Sequence, residues 1–333
     1  MTFSLAMLRQ AHRIAAAFAC ATMWLAATNP APAQGWPNRT ILAISPLGAG
    51  NAADVVARVV LDQLSQQLGQ SIVVENRTGA GGTIGVASVA RAAPDGYTIL
   101  VHSSGFSAAQ VLYKSLPYDT LNDFAAVIPL GVQPTVLVTS PSKGWKTVAD
   151  LVAAAKAKPG AMNYATAGIG SISHLAAERF RLSAGIEAQN IPFKGPNEAF
   201  ADVMTGRIDF YILPVAPALS LISDGKVVAL AVGTARRAAA LPNVPTVAEA
   251  GFKEAAFHYW NGLFVPAKTP RDIVNRLYQE TQKALAAPSV LERLAKLGTD
   301  PLPMTTEEFD KYFRDDVATT AKLAKDAGIA QID

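Results

Sequence analysis

Thr40-Ile-Leu-Ala-Ile-Ser-Pro-Leu-Gly48-Ala-Gly50-Asn-Ala-Ala-Asp54 and Met162-Asn-Tyr-Ala-Thr-Ala-Gly168-Ile-Gly170-Ser171-Ile-Ser-His174 follow one plan. Each reads as a buried strand, a glycine-rich turn and the start of a helix. The two glycine pairs lie 120 residues apart. The first turn of a helix carries unpaired backbone N–H groups and a partial positive charge. Glycine lets an anion approach that backbone closely. Two such turns, one per lobe, would clamp a small anion without any buried cationic side chain.

Around the first turn the chain alternates strand and helix. After Thr40–Ser45, apolar residues recur at Val56, Val60, Leu64 and Leu68, and Gly69 stands where a helix C′ residue belongs. Ser71–Glu75 reads as the next strand, Asn76–Gly82 as a turn, and Tyr97–Val101 as a strand entered through Pro94-Asp95-Gly96. A second unit begins near Thr135. Thr147-Val-Ala-Asp150 has the form of a capping box, and strands are expected at Met162–Ala165, Ile191–Phe193, Arg207–Ile212 and Val227–Val232. Past Pro245, Ala256–Val265 is an aromatic strand placed to cross back to the first unit. Helices follow to the end, one of them opened by Thr305-Thr-Glu-Glu308. The expected fold is α/β, with parallel strands covered by helices. The expected domains are lobe 1 from residues 34–134 and 258–333, and lobe 2 from 135–257.

Residues 1–33 read as an export signal, with cleavage after Ala33. Arg9 and Arg13 form a basic n-region. Ile14–Ala27 is an apolar run of signal-peptide length, and Ala31-Pro32-Ala33 supplies the small-x-small pattern. Cys20, the single cysteine, lies in that run, so the mature chain is expected to lack disulfides and thiol chemistry. The whole chain carries a formal charge of +3, and losing Arg9 and Arg13 leaves +1. That near-neutral balance argues against nucleic acid as a partner. A hydrophobic content of 50% supports buried cores, and about 300 mature residues suffice for two lobes.

Gly48-x-Gly50-x-x-Ala53 also fits a dinucleotide fingerprint, with Glu75 about where a ribose-binding acid belongs. Export and the intervening Pro46 weigh against this alternative. A hydrolytic enzyme is a further alternative, since Ser171 and His174 lie on one predicted helix face. However, no G-x-S-x-G elbow surrounds them, and a helix-capping Ser171 is the simpler reading. His102, His174 and His258 are too scattered for a zinc motif. No metal and no cofactor are expected.

The chain resembles the Bug, or TctC-like, receptors related to tripartite tricarboxylate transporters. The resemblance is carried by Trp36-Pro-Asn-Arg39, Val74-Glu-Asn-Arg77-Thr-Gly-Ala-Gly-Gly82, Pro94-Asp-Gly-Tyr97, Asn163–Ser171 with His174-Leu-Ala, Pro192-Phe-Lys-Gly195, and Leu241–Gly251. It implies a type II periplasmic-binding-protein fold: two α/β lobes, two crossing strands and a ligand cleft between the lobes. It also implies a monomeric periplasmic protein, not an enzyme, that hands a small organic carboxylate to membrane transporter subunits. A ligand sensor for a membrane signalling protein is the alternative on the same cleft. The site residues implied are Leu47, Gly48, Ala49, Gly50, Asn51 and Ala52 in lobe 1, then Thr166, Ala167, Gly168, Ile169, Gly170 and Ser171 in lobe 2. Ser103 and Ser104 match a third family loop, and Phe193 a position usually held by tyrosine. The first turn departs from its relatives by lacking one glycine and one hydroxyl, for which Asn51 stands ready to donate. Phe193, Tyr211 and Leu213 suggest an apolar pocket, and hence an aromatic or longer aliphatic carboxylate.

Overall fold

The structure, a computed structural model, describes residues 35–168, 171–193 and 196–331. Residues 1–34, where the export signal is expected, and Ile169, Gly170, Lys194 and Gly195 lie outside the described residues. Residues 39–333 form one compact unit that holds every element below.

The nine strands among the described residues are β1 (Ile41–Ser45), β2 (Ile72–Asn76), β3 (Thr98–Ser103), β4 (Phe124–Thr139), β5 (Met162–Thr166), β6 (Ala188–Pro192), β7 (Phe210–Pro214), β8 (Val228–Val232) and β9 (His258–Pro266). They run in the order β2-β1-β3-β9-β4-β7-β5-β6, with β8 also paired to β4. β1 is parallel to β2 and β3, while β9 is antiparallel to β3 and to β4. β5 is parallel to β6 and β7, and β7 and β8 are antiparallel to β4. The result is a mixed, curled sheet.

The 16-residue β4 belongs to both halves of that sheet. From Phe124 to Pro134 it pairs with β9, and from Thr135 to Thr139 with β7 and β8. Where the pairing changes, Gly233 N donates to Thr135 O at 2.8 Å and Phe257 N donates to Gly233 O at 2.9 Å. A Cβ on Gly233 would lie 2.1 Å from Thr135 Oγ1 and 2.2 Å from Phe257 O, so only glycine fits this junction.

Helices cover the strands. α1 (Ala52–Leu68) buries Val56, Val60 and Leu64 and stops at Gly69, whose φ of 64° is left-handed. α2 (Thr83–Ala90) packs on β1 and β3, and α3 (Gly105–Leu112) follows β3 directly. α4 (Val148–Ala157), α5 (Ile172–Ala184), α6 (Pro196–Met204) and the short α7 (Leu219–Ser223) accompany β5–β8. α8 (Arg271–Ala286), α9 (Pro288–Lys296) and α10 (Thr306–Asp326) close the chain. One core gathers Ile44, Leu100, Phe106, Trp260, Phe264, Phe309 and Phe313. Another gathers Tyr164, Leu175, Phe180 and Phe210, and it also takes in Leu112 from α3 and Leu323 from α10. Those two residues thread the first half's helices into the second half's core.

Candidate functional site

The two turns fold by the same local rule. After β1, Asn51 is the N-cap of α1, and its Oδ1 accepts from Ala53 N at 2.9 Å and Asp54 N at 3.2 Å. Its Nδ2 and backbone N both donate back to Gly48 O. After β5, Ser171 is the N-cap of α5, and its Oγ accepts from His174 N at 3.3 Å. Its Oγ donates to Gly168 O at 2.7 Å and its N to the same oxygen at 3.2 Å. Glycine and cap are three residues apart in both turns. In both, the cap ties the turn into a closed loop. Gly50 (φ 78°) and Gly168 (φ 104°) need the left-handed backbone that glycine tolerates.

The turns differ four residues into the motif. Asp54 is buried, and its Oδ2 accepts from Gly50 N at 2.9 Å and Arg58 Nε at 3.0 Å. Asn76 Nδ2 donates to Asp54 Oδ1 at 2.8 Å and to Leu47 O at 3.0 Å. Burial pushes the Asp54 carboxyl up, but the bonds from Arg58, Gly50 and Asn76 outweigh it and hold the group below its ordinary value. An internal carboxylate therefore already sits on the first turn. At the same places in the second turn stand His174 and Glu178. Burial lowers the His174 imidazole against the opposing pull of Glu178.

Both turns border one cavity of about 730 Å³. Leu47, Gly50, Asn51 and Ala52 reach it from the first turn, Ser103 from the end of β3, and Ala167 and Ser171 from the second turn. Gly48, Ala49, Ser104, Thr166 and Gly168 are not among the residues that line it: Ser104 and Thr166 are buried, whereas Gly48 and Ala49 are exposed. Thr166 is fully buried and its Oγ1 donates to Asn190 Oδ1 at 2.7 Å. Phe193 is not at the wall. It packs instead against the cluster of Val136, Ala165, Phe200 and Leu213.

Further side chains reach the cavity from elements away from the turns. Tyr259 on β9 takes hydrogen bonds from Ser103 and the Ala53 backbone, and burial pushes its hydroxyl up to about 12. Tyr211 on β7 is likewise pushed up to about 12 by burial and bonds Ser173. Ala108, Ala109 and Leu112 of α3, with Leu213, Pro214 and Pro217, make the apolar part of the wall. Gly81 joins them, and a Cβ there would lie 1.9 Å from the Tyr113 hydroxyl, itself at the wall. No Asp, Glu, Lys or Arg is among the described lining residues. A charge placed here would meet backbone N–H groups, hydroxyls, helix N-termini and the neutral side chains of Asn51 and His102.

The two enzyme alternatives lose their residues to other work. Glu75 pairs with Arg77 on the exposed side of β2. Ser171 spends its hydroxyl on capping. A second cavity of about 240 Å³, between β4 and α8–α9, is bordered by side chains such as Leu130, Leu285 and Leu302 and gathers no comparable polar set.

Residues 56–329 match the family described as the tripartite tricarboxylate transporter family receptor. The chain belongs to this family of receptors. It is 35% identical to Protein BugT of Bordetella pertussis over 301 residues, covering 90% of this chain and 92% of that one. Among solved structures it resembles R. palustris Rpa4515 with adipate, with a TM-score of 0.78 and 32% identity over 89% of this chain and 100% of the other. MatC from Rhodopseudomonas palustris with bound malate gives a TM-score of 0.74 and 30% identity over 86% and 99%. The fold is accordingly that of the periplasmic binding proteins, and the family and these neighbours are solute-binding receptors rather than enzymes.

Proposed function

We propose that this receptor captures a small organic carboxylate outside the cytoplasmic membrane and delivers it to a tripartite tricarboxylate-type transporter. The observation that carries the reading is the pair of capped glycine turns bordering one cavity that has no ionised side chain among its described lining residues. The neighbours solved with adipate and malate agree with an acid as ligand. We assign the ligand site to Leu47–Ala52, Ser103, Ser104, Thr166–Ser171 and Phe193, of which Leu47, Gly50, Asn51, Ala52, Ser103, Ala167 and Ser171 border the cavity directly. The apolar share of the wall, from Leu112 to Leu213 and Pro217, favours an aromatic or longer aliphatic acid.

In this reading residues 34–134 and 258–333 form one lobe and 135–257 the other. The junction at Thr135, Gly233 and Phe257 is the hinge. Ligand binds the closed state better and shifts the population toward it, for which a differential affinity of a few kcal/mol suffices. The mature protein is a monomer that starts after Ala33, and it catalyses no reaction on its ligand.

Native mass spectrometry of the purified protein tests the reading by looking for a retained acid. A thermal-shift series over mono-, di- and tricarboxylates follows. The expected result is stabilisation by at least one acid with an apolar body. Isothermal titration showing tight binding to citrate or aspartate alone would remove the apolar-ligand part. Turnover of the bound acid by the protein alone would remove the receptor part.

A further inference from the structure

His102 belongs to neither turn. It is the penultimate residue of β3, it is 4% exposed, and it borders the cavity next to Ser103 and Gly105. Its Nδ1 accepts the Ser103 N–H at 2.8 Å. An accepting Nδ1 carries no proton, so the neutral ring carries its proton on Nε2. Phe106 stacks on the ring with 5.2 Å between centroids and 10° between planes, which fixes its orientation. Burial pushes the imidazole down to about 3, so the ring is neutral at physiological pH. A Cβ built on Gly105 would stand 3.6 Å from His102 Cε1, so glycine leaves that edge of the ring uncovered. Among the described residues no acceptor meets Nε2.

The hydroxyls at the wall are adaptable. Ser103, Ser173, Tyr211 and Tyr259 are hydroxyls that can donate or accept. His102 differs from them, because a neutral imidazole with Nδ1 engaged can only donate. An oxygen acceptor placed against it is satisfied, whereas an amino group leaves two donors facing each other and both unpaired.

We propose that His102 Nε2–H is a fixed hydrogen-bond donor to the bound acid, selecting a carboxyl or keto oxygen at that wall and rejecting an amino group. The proposal rests on the receptor reading above. Isothermal titration of the wild type, His102→Phe and His102→Gln with adipate, malate and benzoate tests it. His102→Phe keeps the stack on Phe106 and removes the donor, so the best-bound probe should weaken about tenfold. His102→Gln restores an N–H near the Nε2 position and should return affinity to within about threefold of wild type. Melting of the unliganded variants separates a folding defect from a lost contact. Equal affinity of wild type and His102→Phe overturns the donor and leaves the receptor reading standing. Failure of the wild type to bind all three probes overturns both. The ¹⁵N resonances of the His102 ring give a second readout that needs no variant. A proton on Nε2 and a shift on probe binding are expected, and a proton on Nδ1 overturns the proposal.

Discussion

The turn after β1 and the turn after β5 share geometry and differ in charge. Both close on a glycine carbonyl through an N-cap residue three positions later. The first then receives a buried carboxylate from Asp54, itself bonded to Arg58 and Asn76. At the corresponding places the second has His174 and Glu178, and Glu178 is occupied by Tyr164 and Arg181. The first turn thus holds a buried carboxylate paired with Arg58, whereas the described part of the second has His174 at that place. A shared backbone device can carry different charges on its first helical turn.

The most direct way to break this contrast is to give the second turn the acid of the first. His174→Asp should lower affinity for the acid bound by wild type on the order of 100-fold by like-charge repulsion, read by titration calorimetry. Unchanged affinity, with a normal melting curve, would show that the second turn does not carry the ligand's charge. Gly168→Val comes next. Its φ of 104° strains any residue with a Cβ, although the space around it is open. Strain of about 2 kcal/mol in the turn should cost on the order of thirtyfold in affinity while circular dichroism stays that of the wild type.

Asp54→Asn tests the first turn through stability. It should lose about 1 to 2 kcal/mol at neutral pH, the lower part of the range for charged hydrogen bonds because Arg58 is half-exposed. The folded-state value of Asp54 is depressed, so its contribution is present above the unfolded carboxylate value of about 3.9 and fades as pH falls through the folded value. The gap between wild type and variant in urea melts should therefore shrink below about pH 4. A gap independent of pH would mean that the carboxylate's charge is not what holds the turn. The smallest effects belong to the caps. Asn51→Ala and Ser171→Ala should each lose about 1 kcal/mol of stability, and Ser171→Ala should also weaken ligand binding more than Asn51→Ala does.

Much of the architecture is written in local chemistry and could be read without coordinates. The capping boxes at Thr147–Asp150 and Thr305–Glu308 form as their spacing requires, and Gly69 adopts the left-handed C-cap. The strand-turn-helix plan of both turns is legible for the same reason, since a cap and its glycine lie within four residues of each other. What was hidden depends on distant partners. β4 is absent from the expected strands, and Pro129, Gly131 and Pro134 punctuate it. Its pairing with β9 carries it through two register shifts, and Gly131 admits Thr299 and Asp300 at its back. Pro270 stands at the N-cap of α8, one position before its first helical residue. His102 and Tyr259 carry no local sign of a site, and only the packing of β3, β9 and α3 brings them to the cavity. Phe193 offers an aromatic ring at a suggestive position in sequence, yet its ring joins the core beside β7.

β9 lies between β3 and β4, although the chain makes it last of the three. β3 ends at Ser103 and β4 begins at Phe124, but the strand that must separate them does not exist until His258 has been synthesised. A chain made from its N-terminus therefore cannot complete its first half early. Contacts of such long sequence separation also close slowly. The first half's sheet is complete only once residue 266 of 333 has been made.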